Sequence, residues 1–169
     1  LSAAIARPEF DPAAGSVQML YPDQGPARVC VLGLGKPARF ESNTLRAAAG
    51  RLAAVAASAG VKRLGLEPMP GLADALSPDQ AAAAIGDGLS LGNVRFDSFK
   101  GAVNPASDEP DADELSLHVP AELREPIGRA LKLGAGVTTA RQLAATPPNI
   151  ANPQYLVEHC RRLARELGL

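Results

Sequence analysis

Residues 28–67, RVCVLGLGKPARFESNTLRAAAGRLAAVAASAGVKRLGLE, form the stretch from which the fold is predicted. Arg28–Gly33 is a short apolar run that ends at glycine, which predicts a buried strand. Within Asn43–Ala59 the apolar side chains recur three and four residues apart, which predicts one buried helix face. Val61–Glu67 predicts a second strand. The intervening segment is long enough for a crossover between parallel strands.

The two ends of this helix carry recognisable signals. A short side-chain oxygen can accept a free backbone N–H of the first helical turn, so Ser42 or Asn43 is the expected cap. Gly60 is expected to end the helix because glycine readily adopts the left-handed conformation. The residues from 34 to 41 are expected to form a loop.

Further strands and helices are predicted on both sides of this unit. Ser77 and Gln80 form a capping box ahead of a helix that extends to Gly92. The prolines of Thr146–Ile150 (TPPNI) separate two later helices, because proline lacks the N–H that a helix needs. The chain is therefore predicted to be an α/β domain. The other predicted elements are strands at Ser16–Leu20, Val94–Phe99 and Leu115–Val119, loops at Pro68–Leu76 and Asn104–Glu114, and helices at Pro120–Ala145 and Pro153–Leu167, the last capped by Asn152.

Composition excludes several classes of protein. The net charge of the 169 residues is −1, which gives no general attraction to nucleic acid or to an anionic membrane surface. No apolar stretch reaches the length of about 18 residues that a membrane-spanning helix needs. Two His and two Cys are too few for a His/Cys zinc cage. Cys30 and Cys160 lie in apolar surroundings, which predicts buried, reduced thiols.

The segment Gly33-Leu34-Gly35-Lys36-Pro37-Ala38 formally fits the dinucleotide-binding pattern after a strand. That chemistry needs a helix N-terminus directly behind the glycines, so that free N–H groups point at the pyrophosphate. Here Pro37 intervenes and the predicted helix begins about five residues later. We therefore expect the glycines to form a tight exit from the strand.

The other polar clusters show no catalytic spacing. The acidic run from 108 to 114 lacks the spacing and the glycine of a calcium-binding loop. His118 has no Ser, Cys or Asp partner at motif spacing, so we expect a packed or surface histidine. The basic groups at Lys62-Arg63 and along the last helix are expected to be solvated, as the latter alternate with Glu158 and Glu166. No residue of this sequence is therefore assigned as catalytic, cofactor-binding or metal-binding.

The C-terminal third carries a family resemblance. TTARQLAATPPNIANPQYLVEHCRRLARELGL (138–169) resembles the segment that joins the two domains of leucyl aminopeptidases, the cytosol aminopeptidase family. Members carry Ala-Arg-Asp-Leu, Asn-Thr-Pro-Pro-Asn, then Thr-Pro and a helix that ends in Gly-Leu. The segments VLGLGK (31–36), LRAAAG (45–50) and GLSLGNVRFDSFK (88–100) also resemble the family. The sequence departs from the family pattern at Gln142, Ala145 and Val94.

The resemblance implies a two-domain, hexameric, cytoplasmic peptidase. Its N-terminal domain is a three-layer, macro-domain-like α/β fold with a mixed, mostly parallel sheet flanked by helices. Its C-terminal domain holds two divalent metal ions (zinc, manganese or magnesium) that activate water to remove N-terminal amino acids from peptides. The family's metal-binding signature is absent from this sequence, so the chain itself is expected to be non-catalytic and without a cofactor.

The resemblance also divides the chain into two parts. Residues 1–151 are expected to form the N-terminal domain, and residues 152–169 a helix that leads to a catalytic domain absent from this sequence. The expected partners are that catalytic domain, further copies of the chain and, through the parent enzyme, peptides. A macro-domain-like module for ADP-ribose or another nucleotide remains an alternative, as does DNA binding, which the charge disfavours. No membrane association is expected.

Overall fold

The computed structural model describes residues 11–66, 71–92 and 116–169, and the elements in these ranges make a mixed α/β fold of small sheets and helices. The α/β class is confirmed. The predicted strand Val94–Phe99 and the acidic loop Asn104–Glu114 lie outside the described residues. In chain order the elements are β1 (Val17–Leu20), β2 (Val29–Leu32), a 3-10 turn (Pro37–Arg39), α1 (Ser42–Ser58), β3 (Arg63–Gly65), α2 (Leu72–Ala75), α3 (Pro78–Gly92), β4 (Ser116–His118), α4 (Ala121–Ala145) and α5 (Pro153–Leu167).

The described strands form two separate two-stranded sheets. β1 and β2 pair antiparallel, with Val17 opposite Leu32 and Leu20 opposite Val29. β3 and β4 pair parallel, with Leu64 opposite Leu117. In the described part of the chain, the expected parallel pairing of β2 with β3 is therefore not observed. The turn after β1 folds the chain back on itself, so β2 takes its neighbour in sequence as its partner.

Three helices supply the core. α1 packs on α3, and α3 packs on α4. Alanine makes up most of this core, and small side chains allow the helix axes to come close together. The predicted faces of these three helices are confirmed at their central residues, which are buried, whereas Leu131 on α4 is 36% exposed. These buried residues include Leu45, Ala48, Ala49, Leu52 and Ala56 on α1, Ala81, Ala84, Ile85 and Leu89 on α3, and Ile127 and Ala130 on α4.

The capping prediction for α3 is confirmed. The Ser77 backbone N–H donates to Gln80 Oε1 (2.9 Å), and the Gln80 N–H donates to Ser77 Oγ (3.3 Å). This reciprocal pair satisfies two N–H groups that the helix itself leaves unpaired.

The predicted cap of α1 is wrong. Glu41 is the N-cap residue and makes no side-chain cap bond, whereas Ser42 and Asn43 both lie inside the helix. Asn43 Oδ1 instead accepts a hydrogen bond from Arg46 Nη1 (2.9 Å), one turn along. At the other end Gly60 adopts a φ of +61°, as expected for a residue that ends a helix.

The segment before Leu76 differs from the predicted loop. The segment expected to be a loop before Leu76 contains the single helical turn α2. Leu76 itself is buried against the helical core, and its N–H donates to the Leu72 carbonyl (2.9 Å).

None of the described helices is both long and apolar enough to cross a membrane.

Candidate functional site

The glycine loop after β2 is closed by backbone hydrogen bonds to the segment that precedes β1. The Gly33 N–H donates to the Ser16 carbonyl (2.9 Å), and the Gly35 N–H donates to the Pro12 carbonyl (2.9 Å). Both groups are therefore occupied and do not point into an open phosphate cradle. α1 begins only at Ser42. The geometry supports the interpretation of this loop as a strand exit over the dinucleotide alternative.

The described residues do not fit a metal centre. Within residues 11–66, 71–92 and 116–169, no group of three or more His, Cys, Asp or Glu side chains could hold an ion. The acidic run from 108 to 114 lies outside these ranges. His118 is exposed on β4, where its carbonyl accepts from the Leu66 N–H (2.8 Å). No chemical step is therefore assigned to these side chains.

The two cysteines lie in different environments. Cys30 is half-buried on β2, and burial raises the pKa of its thiol because the protein interior disfavours the charged thiolate. Cys160 is exposed on α5, so the prediction that it is buried is wrong. Its neighbours on the helix are apolar as the sequence suggested, but the described residues do not cover that face. Both thiols are free, as expected.

Helix α5 has well-defined ends, and the sequence specifies both. Asn152 Oδ1 accepts from the Tyr155 N–H (2.9 Å), and Pro153 occupies the first turn, where its missing N–H costs nothing. Gly168 ends the helix at φ +71°, and the Leu169 N–H returns to the Ala164 carbonyl (2.8 Å). The predicted helix and its cap are confirmed.

The apolar side of α5 is exposed in the described structure. No residue of this helix is buried. Leu156 and Val157 are each 43% exposed, and Leu167 is 67% exposed. Leu163 is half-buried. We refer to Leu156, Cys160, Leu163 and Leu167 as the α5 stripe.

A polar network runs beside the α5 stripe. The rings of Tyr155 and His159 stack with their centroids 6.4 Å apart. Arg162 Nη2 lies 3.0 Å from His159 Nδ1, and Arg162 Nη1 donates to Glu166 Oε1 (3.2 Å). Because arginine can only donate, Nδ1 must accept, which leaves the proton of a neutral imidazole on Nε2. That nitrogen is shielded from solvent and has no hydrogen-bond partner among the described residues.

Two open grooves mark the described surface. One, of about 410 Å³, lies along the polar side of α5 between Tyr155 and Arg165. The other, of about 350 Å³, lies between α1 and α3, beside Gly50 and Gly92. Its charged side chain, Arg46, is paired with Asp87 at 3.4 Å. This second groove therefore offers little free polar chemistry.

The assignment of residues 152–169 as a connecting helix predicts that part of the α5 stripe is exposed, whereas the apolar pattern around Cys160 predicts burial. A three- and four-residue spacing shows that side chains share a face, but it does not show what covers that face. The pairing of His159 with Arg162 was also missed. The spacing of the two residues could have predicted this contact, because side chains three residues apart on a helix are neighbours.

Comparison with known proteins supplies the family. The sequence profile described as "Cytosol aminopeptidase family, N-terminal domain" matches residues 1–102. The chain belongs to the cytosol aminopeptidase family. It is 37% identical over 172 aligned residues to a probable cytosol aminopeptidase of Parasynechococcus marenigrum, and this alignment covers the whole chain and 34% of the relative. A probable cytosol aminopeptidase of Syntrophotalea carbinolica is 36% identical over 150 residues, covering 85% of the chain and 29% of the relative.

Solved structures share the fold. A tomato leucine aminopeptidase variant superposes with a TM-score of 0.70 at 25% identity, covering 98% of this chain and 32% of that one. The bottromycin maturation enzyme BotP superposes with a TM-score of 0.76 at 24% identity, covering 100% of this chain and 35% of that one. The expected likeness to the N-terminal domain of leucine aminopeptidase is therefore confirmed. The chain spans about a third of the length of the curated relatives that it matches.

Proposed function

We propose that this chain acts as the non-catalytic N-terminal part of a longer, metal-dependent leucyl aminopeptidase that removes N-terminal amino acids from peptides. The observation that carries the proposal is the match of residues 1–102 to the family's N-terminal domain, together with the alignment of the whole chain to only 34% of a cytosol aminopeptidase. In this proposal the catalytic residues lie in the remaining two-thirds of the longer polypeptide, which this chain does not match.

The proposal assigns different tasks to the two parts of the chain. Residues 1–151 form the folded domain, and residues 152–169 form the helix that leads into the catalytic part. The hydrogen-bonded cap at Asn152 and the break at Thr146–Ile150 support this boundary, because they fix the start of α5 without any contribution from the helical core. The buried core residues lie on α1, α3 and α4 and at Leu76, and α5 contributes none.

The same proposal covers the partners of the whole enzyme. Two divalent metal ions (zinc, manganese or magnesium) would be held by the catalytic part, with water activation as the chemistry that they supply. The assembled enzyme would be a cytoplasmic homohexamer in which this domain contributes to assembly and restricts access to the active sites. The occupied N–H groups of Gly33 and Gly35 disfavour the alternative of a diphosphate-binding module.

Immunodepletion of a source-cell extract tests this function. Antibodies raised against residues 1–169 should detect a polypeptide about three times as long as this chain, as the 34% coverage of the Parasynechococcus relative implies. Depletion with these antibodies should remove hydrolysis of a leucine amide substrate, whereas non-immune antibodies should leave it. Detection of a polypeptide of only this length, with the hydrolysis undiminished, would refute the proposal.

A further inference from the structure

We draw no further inference here: the strongest candidate, the exposed apolar face of α4 around Leu133 and Val137, carries nothing because nothing in the described part of the structure shows what covers it.

Discussion

Gly88 of α3 lies against the backbone carbonyl of Arg46 on α1, so close that a Cβ atom built on Gly88 would collide with that oxygen. The same Cβ would lie 2.7 Å from the Cβ of Ala49. Gly92, one turn further along α3, meets the backbone of Gly50 in the same way. The contact of α1 with α3 therefore depends on glycine on α3, and this contact forms one half of the helical core.

Gly88→Ala should lower the free energy of unfolding by roughly 1–3 kcal/mol, because the new methyl group must push α1 away from α3. Gly136→Ala is the matched control, since Gly136 lies within α4 with nothing within 4 Å of a built Cβ. The control should raise the free energy of unfolding by about 0.5–1 kcal/mol through its better helix propensity. Urea denaturation of both variants checks the pair. Equal effects of the two changes would contradict the close helix contact.

Leu52→Ala should cost roughly 2–5 kcal/mol of stability, because it removes a buried side chain and leaves a cavity on α1. Leu52 is 6% exposed. Leu133→Ala makes the same chemical change at a site that is 72% exposed, and it should cost less than about 0.5 kcal/mol. Chemical denaturation measures both. A small loss for Leu52→Ala would mean that the buried face of α1 is assigned wrongly.

Asn152→Ala should loosen the start of α5 by about 0.5–2 kcal/mol, since it removes the acceptor of the Tyr155 N–H. Glu41→Ala is the comparison, because Glu41 caps α1 without any side-chain bond and its replacement should have little effect. Hydrogen exchange of the first turn of each helix reports the two effects separately. Unchanged exchange in the first turn of α5 would show that packing, and not the cap, holds this helix end.

Local features of the fold could be predicted from the sequence. The capping box of Ser77 and Gln80 and the cap at Asn152 depend on residues three apart, so the sequence contains the whole interaction. The buried faces of α1 and α3 follow from helical periodicity for the same reason. The cap of α1 was misplaced because Ser42 and Asn43 are as suitable chemically as many true caps. The backbone conformation shows that the helix begins at Ser42, one residue earlier than predicted, and that Glu41 is its N-cap residue.

The strand pairing and the exposure of α5 could not be predicted in this way. β3 finds its partner β4 about fifty residues further along the chain, and a run of three residues carries no signal for that choice. The stripe around Cys160 resembles the stripe on α1 in spacing, yet one is open and the other covered. The difference lies in what packs against each helix, and the spacing of apolar residues gives no information about that packing. The absence of an assigned catalytic residue remains a prediction.

Assay of the chain 1–169 for hydrolysis of a leucine amide substrate tests the central claim most directly. The chain should be measured with added manganese, zinc and magnesium, beside the complete Parasynechococcus relative as the positive control. The account predicts no hydrolysis above the metal-only blank, because it places the catalytic residues in the part of the longer relatives that this chain does not match. Hydrolysis that increases with protein concentration and survives repurification of the chain would contradict the proposal that this chain is non-catalytic.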